Sequence, residues 1–166
     1  MSGSAHISEL AFKFPNNQSW AMVRTHFDIQ SFGVNAYIAE EAGVEVIGEH
    51  DELGENAGKH EELYFVSNGR ATFTVNGDEI DAPAGTFVFV RDPAVRRHAV
   101  AVEPGTTVLA IGGVPGVHTP SSWEWTFGAE QYRESRDAEG DGDVRNGAGF
   151  QGNPPSPPYG TWMTSR

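Results

Sequence analysis

Apolar residues alternate with small or polar residues through the middle of the chain. A period of two is typical of half-buried β-strands. The pattern predicts strands at 32–39, 44–47, 62–66, 70–75, 78–81, 86–90, 99–102 and 106–111. Turn residues separate them, most clearly Asn76-Gly77, a dipeptide that favours a two-residue hairpin. Since no helix-period segment interrupts residues 32–112, the pattern predicts an all-β sandwich or barrel.

The two ends of the chain differ from this central pattern. Residues 1–19 are polar and mixed, and they are interpreted as an N-terminal extension that includes strand. Residues 20–127 are assigned to the barrel domain, although the part from Trp20 to Phe27 fits either a strand or a short helical turn. Residues 128–166 are predicted to form one short helix followed by an irregular, flexible tail rich in proline and glycine.

Composition narrows the classes of function. The chain has 166 residues and no cysteine, which excludes disulfides, thiolate metal sites and a cysteine nucleophile. A formal net charge of −12 disfavours binding to nucleic acid or to anionic membranes. The N-terminus lacks the basic and apolar regions of a signal peptide, and no apolar run approaches a membrane span. We therefore expect a soluble, cytoplasmic protein without nucleic-acid or membrane partners.

Two short segments carry a resemblance to a known family. Six residues separate Glu62 from the turn glycine Gly69, and an apolar strand follows that glutamate. Pro83-Ala84-Gly85 then precedes a second apolar strand, with 15 residues between the two glycines. In these features the chain resembles the cupin superfamily, and more closely a group of uncharacterised actinobacterial single-domain cupins. The resemblance implies a double-stranded β-helix (a jelly-roll barrel), a small-molecule ligand in the barrel and a homodimer formed by sheet packing.

The chain departs from the metal-binding pattern of that family. The His-x-His pair expected ahead of Glu62 would fall on Asn56 and Gly58, or on Glu55 and Ala57. The later histidine of the family would fall on Arg96. The family's metal ligands therefore cannot be transferred residue by residue.

A remodelled metal site is nevertheless compatible with the sequence. His60 and Glu62 are two residues apart and share one face of a strand. His98 could replace the missing histidine if the loop before it is longer by two residues, and His50 could supply a third imidazole if residues 51–59 are an insertion. Imidazoles with one carboxylate suit Fe, Mn, Ni, Cu or Zn. Alternatively, His60 only hydrogen-bonds a neighbour, and His98 is exposed to solvent.

Arg96 and Tyr64 are candidate ligand-binding residues for a site without metal. An inward-facing Arg96 could bind a carboxylate or phosphate through two hydrogen bonds, or it could pair with Glu61, Glu62 or Asp92. Tyr64 lies on the face of His60 and Glu62, where it could donate a proton or simply fill the core.

Three functions remain open at this point. The first is a metal-dependent oxygenase or isomerase, and the second is a metal-free binding or sensory module without turnover. The third is a metal-free enzyme in which Glu62 and His60 act as acid and base, assisted by Tyr64.

Overall fold

Ten β-strands and two short helices make up the part of the chain that a computed structural model describes, residues 3–55 and 57–118. In chain order they are α1 (Ile7–Leu10), β1 (Ala11–Lys13), β2 (Gln18–Ala21), α2 (Val23–Phe27), β3 (Gly33–Ala39), β4 (Glu45–His50), β5 (Glu61–Asn68), β6 (Arg70–Val75), β7 (Asp78–Pro83), β8 (Phe87–Val90), β9 (Arg97–Ala101) and β10 (Thr106–Gly113). Neither helix has the length or apolar character needed to cross a lipid bilayer.

The strands form two antiparallel sheets. The six-stranded sheet has the order β1-β2-β3-β10-β5-β8, and the four-stranded sheet has the order β4-β9-β6-β7. Strands adjacent in the chain often lie in different sheets, as in a jelly roll. The predicted all-β architecture is therefore confirmed, including the N-terminal strands β1 and β2, which extend the six-stranded sheet at one edge.

Two glycine turns hold neighbouring strands in register. Asn76 and Gly77 have φ angles of 53° and 91°, as a tight hairpin turn between β6 and β7 requires. At Gly69, where φ is 71°, a Cβ atom would lie 2.5 Å from Oγ1 of Thr106 and 2.9 Å from its Cα. Any larger residue at position 69 would therefore clash with β10.

The inner faces of the two sheets meet in one apolar core. Val66 and Val108 from the six-stranded sheet and Phe73 and Val46 from the four-stranded sheet are fully buried in it. The rings of Tyr64 and Phe73 pack across the sheets with their centroids 5.5 Å apart. Tyr64 is thereby held with its ring in the core and its hydroxyl group toward one end of the sheets.

The observed strands begin and end within three residues of the predicted ones, and the differences that affect the site are in β4 and β9. β4 continues to His50, and β9 begins at Arg97, two residues before the predicted start, because these two residues are paired across the strands. The segment from Trp20 to Phe27 divides between the end of β2 and helix α2. The predicted helix and tail at 128–166 lie outside the described residues.

Replacement of Phe73 by alanine should lower the free energy of unfolding by about 3–5 kcal/mol, because it leaves a cavity in the fully buried core. Ile80 is the cross-strand neighbour of Phe73 on β7, and its side chain is exposed. Ile80→Ala is therefore the matched control and should lower the free energy of unfolding much less. Urea unfolding of both variants measures the difference, and equal losses would contradict this description of the core.

Candidate functional site

Four polar side chains from the two sheets meet at one end of the core. Glu62 and Tyr64 come from β5 in the six-stranded sheet, where alternate residues face inward. His50 is the last residue of β4, and Arg97 is the first residue of β9, in the four-stranded sheet. The cluster therefore depends on the packing of one sheet against the other.

One carboxylate oxygen of Glu62 is the centre of the cluster. Its Oε2 atom accepts hydrogen bonds from the Tyr64 hydroxyl group and from Nε of Arg97, the latter at 3.0 Å. Nη2 of Arg97 lies 2.8 Å from the same oxygen, and Nε2 of His50 lies 3.3 Å from it. The side chain of Arg97 is completely buried. Its charge is therefore compensated by Glu62 rather than by water.

Charge and burial shift the pKa values within this cluster. Burial alone would raise the pKa of Glu62, but hydrogen bonds from His50 and Tyr64, together with the charge of Arg97, lower it. The hydrogen bond to Glu62 raises the pKa of His50. Burial, followed by the charge of Glu62, raises the pKa of Tyr64 well above its usual range. Glu62 is thus an anion and Tyr64 a phenol at neutral pH.

The orientation of His50 is fixed by its other ring nitrogen. Nδ1 lies 2.7 Å from the carbonyl oxygen of Gly48, which can only accept, so Nδ1 carries a proton. Nε2 then faces the carboxylates, either with a second proton or with a lone pair. Because a bare lone pair would repel the Glu62 oxygen at 3.3 Å, a proton or a metal ion is required between them.

Glu52 brings a second carboxylate to the same place. Its backbone N–H donates to the carbonyl oxygen of Pro93 at 2.8 Å, which ties the loop after β4 to the loop before β9. Its Oε2 atom accepts a hydrogen bond from the backbone of Gly58 at 3.0 Å. The other oxygen, Oε1, lies 3.8 Å from Nε2 of His50.

His50, Glu52 and Glu62 are arranged so that together they could hold a divalent cation. One ligand atom from each lies within 4.8 Å of the others. Two donors bound to one ion at about 2.1 Å are about 3.0–3.4 Å apart at octahedral or tetrahedral angles, so the more distant of these atoms must move closer to bind. The Nδ1–H bond of His50 to a carbonyl oxygen is the kind of outer contact that orients a metal-binding imidazole. This group could therefore hold a metal ion.

His60 lies beside this group. Its Nδ1 atom is 3.8 Å from Oε2 of Glu52, and about a third of the side chain is exposed. The imidazole ring packs over two glycines: a Cβ atom would lie 2.2 Å from the ring at Gly58 and 3.1 Å from it at Gly112. The structure thus brings His60 next to Glu52 and does not bring it into the group of three potential ligands.

Arg96 and His98 lie away from the cluster. On β9, Arg97 faces the core, so His98 faces the opposite side of the strand. Arg96 is exposed and pairs with Glu49, with Nε 3.0 Å from Oε1. Arg96, His98 and Thr74 line a pocket of about 310 Å³, which Arg97 also borders. His50, Glu52 and Glu62 do not line this pocket.

Of the residues predicted from sequence, His50, Glu62 and Tyr64 are in the cluster. Arg97 belongs to the cluster and Glu52 lies beside it, although neither was predicted to be a site residue. Glu52 stands two residues after His50, a spacing that resembles the absent His-x-His pair and could have drawn attention to it. Arg97 carries no such signal, because its neighbour Arg96 is the same residue type.

Comparisons with known proteins bear on the fold. A predicted oxalate decarboxylase from Thermotoga maritima matches 68% of this chain and 99% of its own, with a TM-score of 0.52 and 16% identity. A conserved Streptococcus pyogenes protein of unknown function matches 69% of this chain and 90% of its own, with a TM-score of 0.51 and 15% identity. A cupin protein from Bacteroides fragilis matches 66% of this chain and 86% of its own, with a TM-score of 0.49 and 19% identity.

At such low identities a structural likeness shows the fold alone. The predicted cupin-type β-barrel is confirmed as the fold, whereas the finer resemblance to actinobacterial single-domain cupins stays a prediction. No protein-family model and no curated protein matches the sequence.

The Glu62–Arg97 pair should behave as a coupled unit in unfolding experiments. Arg97→Met leaves Glu62 buried without its cation and should cost about 3–5 kcal/mol of stability. The double variant Arg97→Met/Glu62→Leu removes both charges and should recover most of that loss. Urea unfolding in the presence of a chelator measures the cycle. Additive losses from the two single substitutions would show that the pair contributes no coupling.

Proposed function

We propose that this protein binds a divalent metal ion through His50, Glu52 and Glu62 and acts as an enzyme on a small organic molecule beside it. The observation that carries the proposal is the convergence of these three ligand atoms within 4.8 Å of one another. The reaction classes that suit such a centre are oxygenation and isomerisation.

The donor set indicates which metals fit. One imidazole and two carboxylates favour Mn(II) and Fe(II), with Zn(II), Ni(II) and Cu(II) as further candidates. Two carboxylates and the guanidinium of Arg97 carry a combined charge of −1. That equals the charge of the two-histidine, one-carboxylate set that holds non-haem iron. With the ion bound, the centre would carry +1 and would attract a substrate with an anionic or enolic oxygen.

The residues around the centre have separable roles. When bound, the ion would supply Lewis acidity and, if it is redox-active, electron transfer. Tyr64 donates to Glu62 and limits the positions that this carboxylate can adopt. His60 is partly exposed beside Glu52, so a substrate can reach it and exchange a proton with it. His60 is therefore the candidate acid or base of the site.

A small organic acid is compatible with the fold. The Thermotoga maritima protein that shares the barrel is described as a predicted oxalate decarboxylase. Since one fold supports many activities, this description supports the class of ligand and not a particular reaction.

A metal-free ligand-binding or sensory protein without turnover is the second candidate. One observation favours it: Oε2 of Glu62 already has Tyr64, Arg97 and His50 as neighbours. In that state a proton on His50, rather than a metal ion, would lie between the imidazole and the carboxylate. The small molecule would then bind to His60 and to the exposed part of His50.

Metal analysis of the purified chain separates the two candidates. After incubation with Mn²⁺, Fe²⁺, Ni²⁺, Cu²⁺ or Zn²⁺ and desalting, plasma mass spectrometry should find about one ion per chain for at least one metal. His50→Ala and Glu52→Gln should abolish the binding, because each removes a ligand. Glu52→Gln still offers an acceptor to the Gly58 backbone, which limits its effect on folding.

Two further variants complete this experiment. His26→Ala, on helix α2, is the control and should keep the metal, and His98→Ala should keep it as well. Loss of metal in His98→Ala with retention in His50→Ala would instead favour the site of His60, Glu62 and His98 that the sequence also suggested. The absence of binding for every ion would leave the metal-free candidate and direct the work to ligand screening.

We propose that the protein is a homodimer formed through the edge of the six-stranded sheet. β8 pairs on one side only within the described residues, and it exposes Phe87 and Phe89. Arg91 lies over the ring of Phe89 and within 3.6 Å of Glu61. This edge carries a positive and a negative side chain beside exposed aromatic rings, so it can pair with the same edge of a second copy.

Cytoplasmic location and the lack of nucleic-acid and membrane partners stay predictions from composition.

Light scattering after size exclusion tests the dimer. Light scattering should give the native protein twice the 18.0 kDa mass of one chain. Phe87→Lys/Phe89→Lys should give a monomer, because lysines on an edge strand oppose strand pairing. Phe12→Lys places the same change on exposed β1, at the opposite edge of the sheet, and should stay dimeric. A native monomer would overturn the proposal.

A further inference from the structure

Arg97 stands beside His50 in the structure. The two residues are register partners across β9 and β4, and both approach Oε2 of Glu62. A side chain at position 97 therefore points at the same carboxylate as the proposed metal-binding imidazole. If a ligand atom were available at position 97, it would face the centre together with His50 and Glu62.

The guanidinium of Arg97 is held away from any substrate. Its Nη1 atom donates to the carbonyl oxygens of Val95 and Pro93, at 2.7 and 3.4 Å. Nη2 is buried and has no well-directed hydrogen bond, although it lies 2.8 Å from Glu62. None of the side chain is exposed. Arg97 is therefore not placed to hold a substrate carboxylate, and its effect must pass through Glu62.

Guanidinium has two properties that oppose metal binding at this position. It has no lone pair to offer an ion, and it stays positively charged at any physiological pH. A cation bound to Glu62 would lie within a few ångströms of that charge and would be repelled by it. The partly satisfied Nη2 atom also shows that Arg97 fits Glu62 imperfectly.

We propose that Arg97 is a positioning residue that limits the metal centre to three protein ligands and weakens its hold on the ion. This inference rests on the metal site proposed above. Arg97 holds the Glu62 carboxylate in place when no metal is bound, and it leaves coordination positions open for substrate when metal is bound. A histidine at position 97 would remove the repelling charge and add a fourth ligand beside His50.

The competing explanation is that Arg97 serves only to join the two sheets. In that case Arg97→His would lose stability and gain no affinity for metal. The two explanations therefore predict different metal affinities for Arg97→His, and this affinity can be measured without any assay of catalytic activity.

The experiment compares metal binding by the full-length native chain, Arg97→His and Arg97→Met, each stripped of metal beforehand. Titration with CoCl₂ and MnCl₂ by calorimetry gives the dissociation constants, and the visible absorption of Co²⁺ reports the number of ligands. We expect Arg97→His to bind Co²⁺ at least about tenfold more tightly than the native chain, with a changed Co²⁺ spectrum. Arg97→Met should show a smaller gain, because it removes only the charge.

Arg70→His is the matched control. Arg70 lies in the same four-stranded sheet and also pairs with a carboxylate, that of Asp81, but the pair is exposed. This substitution should leave Co²⁺ affinity unchanged. Equal gains in Arg70→His and Arg97→His would overturn the inference, since they would come from general loss of positive charge.

The outcomes separate this inference from the proposed function. If the native chain binds metal and Arg97→His binds no more tightly, the inference fails and the proposed function stands. If only Arg97→His binds, the proposed function fails, and the part of the inference that Arg97 opposes metal binding is supported. If neither binds, both fail.

Loss of folding in Arg97→His is also informative. Refolding is then measured with and without CoCl₂. Folding that depends on the ion supports the inference, whereas failure to fold in its presence overturns it.

Discussion

The buried contact between the Glu62 carboxylate and the Arg97 guanidinium is the interaction on which the rest of the site depends. Glu62 belongs to the six-stranded sheet and Arg97 to the four-stranded sheet. Neither charge could be buried alone without a large loss of solvation energy, so each holds the other's strand in place. The same contact keeps Glu62 anionic and accessible to His50. Structural and chemical roles are therefore combined in one pair of side chains.

The anionic state of Glu62 has a direct consequence for His50. Because Nδ1 of His50 donates its hydrogen to the Gly48 carbonyl oxygen, the second ring nitrogen can approach Glu62 only with a proton or a metal ion between them. A proton fulfils this role in a metal-free protein, and a metal ion fulfils it in a metalloprotein. Glu52 adds a second carboxylate near the same imidazole nitrogen. Two carboxylates around one imidazole favour a divalent ion. Arg97 opposes such an ion, because its charge and one proton on His50 together already balance both carboxylates.

Much of the fold could be predicted from local sequence. Alternation at 70–75 and the Asn76-Gly77 turn led to the β6–β7 hairpin, and Gly69 marked the preceding turn correctly. The reason is that period-two burial and positive φ angles are local properties of the chain. Glu62 and Tyr64 could be placed on one inner face by the same argument. His50 could be named as a candidate only on the condition that residues 51–59 form an insertion.

The sequence by itself determined an acidic, cysteine-free chain whose strand and turn pattern fits a jelly roll, with Glu62 and Tyr64 on one face. Only the tertiary structure decided which of the neighbouring arginines faces inward. The run Ala99-Val100-Ala101-Val102 is apolar throughout, so it does not show which residues of β9 face the core. Either Arg96 or Arg97 could therefore face inward as far as the pattern shows. Irregular pairing between β4 and β9, with register shifts on both sides of Ile47, turns His50 toward Glu62. Such shifts depend on how one sheet packs against the other, and a one-residue change of register exchanges the inner and outer faces of a strand.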